Sequence, residues 1–163
     1  GGLLDLDVLG GALLTAATHG HRAAVSVLVN AGASVFKQDA AGLSPLMLAS
    51  ANGHVDAVRA LIKASAPVNA PGGPGGNTAL SLAARNGRAA VVAELLRNGA
   101  NAEWRGSGDS PVDLLELAHE PTVKAQIVAE RQRRALEREL LSVRERGEEA
   151  TARREKRRLT AGS

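Results

Sequence analysis

The chain predicts an all-α solenoid of stacked helix-turn-helix repeats that ends in a charged helix, and three observations carry that prediction. First, three stretches share one internal phase: LLTAATHGHRAAVSVLVNAGA from Leu13, LMLASANGHVDAVRALIKASA from Leu46 and LSLAARNGRAAVVAELLRNGA from Leu80. Their anchor glycines, Gly20, Gly53 and Gly87, lie 33 and 34 residues apart, a period that marks stacked repeats. Second, 44% of the 163 residues are apolar, yet Phe36 and Trp104 are the only aromatics. A core must then be built from Ala, Leu, Val and Ile, which suits closely spaced helices and disfavours a large sandwich or barrel. Third, RQRRALERELLSVRERGEEATARREKRR near the C-terminus is made of helix formers and charge.

Each repeat can be read element by element. Two residues before Leu13, Leu46 and Leu80 stand Gly11, Ser44 and Thr78. The two hydroxyls suit helix N-caps, and Pro45 falls at the first helical position, where its missing N–H is no loss. A short first helix follows, kept slim on one side by Ala16, Ala17, Ala49, Ala83 and Ala84. The anchor glycine ends it. Five residues on come Val25, Val58 and Val92; eight on, Leu28, Leu61 and Leu95; nine on, Val29, Ile62 and Leu96. These build a second helix, stopped by Gly32 and Gly99 and, more weakly, by Ser65.

GLSPLMLASANGH (42–54) and GNTALSLAARNGR (76–88), with the endings LIKASAPVN and LLRNGANAE, resemble the ankyrin repeat. The resemblance covers residues 9 to about 120. It departs from the pattern at Leu9 and Gly11 in the first unit, at Ala79 in place of Pro, and at Met47 and Ser81 in place of His. The resemblance implies β-hairpin fingers between repeats, and PGGPGG (71–76) is read as a finger tip, the counterpart of FKQDAA (36–41). A phosphate loop is the competing reading, and neither G-x-x-x-x-G-K-[ST] nor G-x-G-x-x-G is present there.

GDSPVDLLELAHEPTVKAQIVAE (108–130) opens a fourth unit, with Ser110 and Pro111 repeating the cap and Ile127 and Val128 at the Leu95–Leu96 positions. His119, Lys124 and Arg131 replace the anchor Gly, the buried Val and the stopping Gly, so the last helix is expected to run on. The organisation is therefore a repeat domain over 1–130, with repeats at about 9–41, 42–75 and 76–107 and a degenerate capping repeat at 108–130. A charged helical tail over 131–163 frays at its end. Leu136, Leu140 and Val143 share a helical face in that tail, a seam too short to define a coiled coil by itself.

The net charge of +3 is unevenly placed: residues 1–119 carry 8 Lys/Arg against 9 Asp/Glu, and 120–163 carry 12 against 8. The body thus predicts no nucleic-acid surface, which leaves the basic tail as the one segment suited to a nucleic acid or anionic surface. RREKRR (153–158) reads as a solvated charge run, with a nuclear import signal as the sharper alternative. No apolar run approaches a membrane span and no secretory signal is evident, so the expectation is an intracellular, cytoplasmic protein or a nuclear one. The first residue is Gly, which suggests a fragment or processed form.

No catalytic constellation is legible. There is no Cys, no G-x-S-x-G and no H-E-x-x-H. His19 and His21 are two apart and point to different helical faces; the resemblance gives His21 and His54 a structural hydrogen-bonding role. Asp109 and Asp113 are explained by the start of a helix, before its cap and in its first turn. No cofactor or metal is expected.

What remains is a surface. The resemblance implies a non-catalytic module that binds a protein partner through the concave face and the fingers. It maps that face onto Leu14, Thr18 and His19, Met47, Ala51 and Asn52, and Ser81, Arg85 and Asn86. The fingers contribute Lys37, Gln38 and Asp39, the glycine-rich tip, and Trp104 and Arg105. Trp104 is either a binding hot spot or a ring folded back onto the neighbouring helix. A rival reading is a regulatory or targeting segment of a larger multidomain enzyme: repeats followed by a charge-rich helix loosely resemble the N-terminal part of mitochondrial AAA+ disaggregases, although no ATPase motif is present here.

Overall fold

Eight helices, and no strand, form among residues 5–107 and 112–161, which the computed structural model describes. In chain order they are α1 (Leu6–Thr18), α2 (Arg22–Asn30), α3 (Pro45–Asn52), α4 (Val55–Lys63), α5 (Ala79–Arg85), α6 (Ala89–Arg97), α7 (Leu114–Leu117) and α8 (Pro121–Ala161). α3 packs between α1 and α5, and α4 between α2 and α6. First helices form one row and second helices another, which is the solenoid that the period predicts.

Local chemistry explains the starts. Ser44 Oγ accepts from Met47 N–H at 3.3 Å, with Pro45 at the first helical position. Thr78 Oγ1 accepts from Ser81 N–H at 3.2 Å while Ser81 Oγ accepts from Thr78 N–H at 2.9 Å, a reciprocal pair that satisfies two donors at once. The first unit departs from the expected start near Gly11. α1 begins at Leu6, capped by Asp5, whose carboxylate accepts from Asp7 N–H at 3.0 Å, so Gly10 and Gly11 lie inside the helix.

The helix ends repeat one backbone bond. The residue after each anchor glycine donates back to the carbonyl five positions earlier: His21 to Ala16 and Arg88 to Ala83 at 2.9 Å, His54 to Ala49 at 3.0 Å. Ala33, Ala66 and Ala100 close the second helices in the same way, onto Leu28, Leu61 and Leu95. The core is aliphatic, with Leu13, Leu46, Leu61, Leu80, Leu95, Val58, Val91 and Val92 inside, and the five small alanines of the first helices are all buried.

The fourth unit differs from its expected form. Ser110, Pro111 and Asp109 lie outside the described residues. Asp113, expected in the first turn, is instead the N-cap of the four-residue α7: its carboxylate accepts from Leu115 N–H at 2.9 Å, and Glu116 bonds back to its N–H. Ile127 is buried, but Val128 is 39% exposed and Lys124 is exposed; Val123 is the second buried residue. The physical reason is the end of the stack. Val123 and Ile127, spaced four apart, continue the positions of Val91 and Leu95, whereas Lys124 and Val128 continue those of Val92 and Leu96.

The expected hairpin fingers reduce to single antiparallel bridges, Gly72 with Asn77 and Arg105 with Asp113. Contacts divide the chain into two compact units, Gly1–Ile127 and Val128–Ser163. Within the second unit, Arg133 pairs with Glu130 and Glu137, Arg134 with Glu130, and Arg144 with Glu148, at three- and four-residue helical spacings. Glu130 is held below the usual carboxylate range by the hydrogen bond from Arg133 against the opposing effect of burial, with Arg134 adding to it.

Candidate partner-binding face

Side chains from one repeat seat on the backbone of the repeat before it. His54 Nε2 lies 2.9 Å from the Thr18 carbonyl, and Arg88 Nε donates to the Ala51 carbonyl at 3.1 Å. Asn86 Nδ2 reaches that same carbonyl at 2.9 Å. His54, Arg88 and Glu120 lie across Gly20, Gly53 and Gly87 in turn, so a Cβ at those glycines would run into the next repeat. Asn69 grips the third repeat with both ends of its amide, donating to Gly99 O at 3.0 Å and accepting from Asn101 N–H at 2.7 Å.

The fingers interlock by backbone. A Cβ at Gly72 would come 2.5 Å from Gly42 O and 2.9 Å from the Met47 thioether. Gly75 O accepts from Ser107 N–H at 3.0 Å, and Gly76 O from the Trp104 indole at 3.1 Å. The glycine-rich tip has no side chains to anchor it and is held from both sides by its neighbours.

Against this scaffold the expected site residues separate. His19, Asn52, Arg85, Asn86, Gln38 and Arg105 are exposed, and Leu14, Thr18, Ala51, Lys37 and Asp39 are half-buried. Three expectations are corrected. Met47 is buried beneath the glycine tip. Ser81 is buried because it closes the α5 cap. Trp104 is 9% exposed, its ring turned inward and its N–H spent on the Gly76 carbonyl of the glycine-rich loop. Asp39 also serves the fold, its carboxylate accepting from Ala41 and Leu43 N–H at 2.9 Å to shape the first finger. Lys37 pairs with Asp7 at 2.7 Å, and its hydrogen bond and charge hold that carboxyl below its ordinary value. His54 takes the structural role the resemblance implies, whereas His21, in the first unit, is exposed and stacks on His19 with ring centroids 5.9 Å apart.

A second surface went unread in the sequence. Along α2, α4 and α6 a groove of about 580 Å³ is lined by Arg22, Asp56, Arg59, Lys63, Glu94 and Asn98 among others. Glu94 is buried in it and accepts from Arg59 Nε at 3.0 Å and Arg97 Nη1 at 2.7 Å. Burial pushes its carboxyl up, and the hydrogen bonds and charges of the two arginines outweigh that, leaving it below the ordinary range. The available signal was a carboxylate flanked by apolar residues in AAVVAELLR.

Among the described residues no group of three or more His, Asp or Glu gathers to hold a metal, and no helix is long and apolar enough to cross a membrane. Two rows of antiparallel helices, repeated in phase and joined by turns that lean on one another, define a helical-repeat solenoid. A family model described as ankyrin repeats in three copies matches residues 12–105. The chain belongs to the ankyrin repeat family, whose members are generally protein–protein interaction modules. Comparison with curated proteins gave no match.

Proposed function

We propose that the chain is a non-catalytic protein-binding module whose recognition surface is the row of first-helix ends together with the first and third fingers. One observation carries this reading. The residues just before each anchor glycine are outside the buried core and change chemistry from repeat to repeat, Thr18–His19, then Ala51–Asn52, then Arg85–Asn86, while the backbone bonds that close each helix recur. A constant scaffold that carries variable exposed side chains is suited to selecting one partner. Lys37, Gln38 and Arg105 extend the surface along the fingers; Met47, Ser81 and Trp104 support it from beneath.

Quantitative capture from a lysate of the source cells tests the reading. The full chain is compared with a triple variant, His19→Ala, Asn52→Ala and Arg85→Ala, and with a chain ending at Glu130. Proteins bound by the full and shortened chains and lost from the triple variant support the face. Proteins kept by the triple variant and lost on shortening move recognition to the tail.

One observation favours a second reading. Arg146, Arg153, Arg154 and Arg157 gather with Glu149 around Ala150 on one side of the tail helix, Glu149 pairing with Arg153, a net basic patch suited to nucleic acid or another polyanion. Binding of that kind weakens steeply with added salt, which separates it from recognition by the face.

A further inference from the structure

The tail helix presents an apolar stripe to solvent. Leu136, Leu140 and Val143 are 61%, 69% and 54% exposed, and at spacings of four and three residues they lie on one side of α8. Gly147 and Ala150 extend the same line, and Arg133 precedes it by one turn. Glu137 and Arg144 flank the stripe on one side, Glu139 and Arg146 on the other. On both flanks the acid is N-terminal and the base C-terminal.

We propose that this stripe pairs with the same stripe of a second copy of the chain, in antiparallel orientation, about a two-fold axis between Leu141 and Ser142. In that register Leu140 meets Val143 of the second copy, Leu136 meets Gly147, and Arg133 meets Ala150. Glu139 falls beside Arg146 and Glu137 beside Arg144, and the symmetry repeats both pairs, so that every flanking charge meets its opposite. A parallel pairing satisfies only Glu139 with Arg144 and sets Arg133 against Arg133, a like-charge contact within the seam. Charge complementarity thus selects both the occupant and its direction. The intrahelical pairs Arg133–Glu137 and Arg144–Glu148 are exposed and exchange partners at little cost.

Sedimentation equilibrium of the full chain over a concentration series at low salt is expected to show a reversible monomer–dimer equilibrium that shifts toward monomer as salt rises. Leu140→Glu, at a solvent-exposed position, is expected to leave the helical circular dichroism unchanged and abolish the dimer. Glu137→Arg with Glu139→Arg does the same by repulsion, and adding Arg144→Glu with Arg146→Glu restores association. Because the chain has no cysteine, direction can be read by oxidation. Mixed Arg133→Cys and Ala150→Cys chains are expected to form the crossed disulfide, and Arg133→Cys alone to form none. A chain that stays monomeric at every concentration overturns the proposal. So does a dimer that survives both Leu140→Glu and the charge reversal, or one in which Arg133→Cys links to itself. Partner capture by the repeat face does not depend on this contact, so failure of either reading leaves the other standing.

Discussion

The indole N–H of Trp104 donates to the carbonyl oxygen of Gly76 at 3.1 Å, joining residues 28 positions apart. The bond ties the third finger to the end of the glycine-rich loop and uses the only tryptophan of the chain as a brace. Trp104→Phe removes the donor and keeps most of the ring, and is expected to lower stability by about 1 kcal/mol. Trp104→Ala also empties the buried space and is expected to cost about 3–5 kcal/mol. Urea denaturation of both variants checks the order; equal midpoints for the wild type and Trp104→Phe would show that the bond contributes nothing.

Gly20 and Gly32 both have positive φ, at 74° and 94°, but their surroundings differ. A Cβ at Gly32 meets only Leu6 at 3.8 Å, whereas one at Gly20 collides with the His54 imidazole. Gly32→Ala should therefore cost about 1–2 kcal/mol, from backbone conformation alone. Gly20→Ala should cost more, because His54 must leave its place over the Thr18 carbonyl. Thermal melts of the two variants, with the Gly20→Ala midpoint lower, are the expected outcome.

Ser65 stands at the stop occupied by Gly32 and Gly99 in the other repeats and adopts φ 63°, the only described non-glycine residue with positive φ. Relief of that conformation outweighs the added flexibility of the unfolded chain, so Ser65→Gly is expected to stabilise by about 0.5–1 kcal/mol. A rise in melting temperature with unchanged circular dichroism at 25 °C is the readout.

Glu94 binds its proton less readily in the folded chain than in the unfolded one. Its ionised form therefore favours folding above about pH 4.3, the ordinary glutamate value, and that contribution fades as the pH falls through the lower folded-state value. Because Arg59 and Arg97 are 51% and 64% exposed, solvent screening keeps it to about 1 kcal/mol. Glu94→Gln should lose that amount at pH 7 and narrow the gap to wild type in acid. Denaturation midpoints at the two pH values check this, and a gap that widens in acid contradicts it.

By itself the sequence determined the repeat. Its period, the Ser44 and Thr78 caps, the anchor glycines and the aliphatic second helices are local signals, each set by chemistry within a few residues, and they repeat in phase. The absence of a stopping glycine at Arg131 likewise announced the long last helix. Tertiary structure alone decided which side chains of that repeat remain available. Met47 and Trp104 occupy positions that single-repeat logic leaves outside, and each is covered from another repeat or finger, Met47 by the glycine tip and Trp104 at the Gly76 turn. Ser81 instead turns inward within its own repeat, where it closes the α5 cap. Glu94 is the converse case, a charged residue taken inward because Arg59 of the preceding repeat reaches it. Contacts between repeats join residues about one period apart, and no pattern read along the chain ranks them, because burial depends on what the next repeat lays across each position.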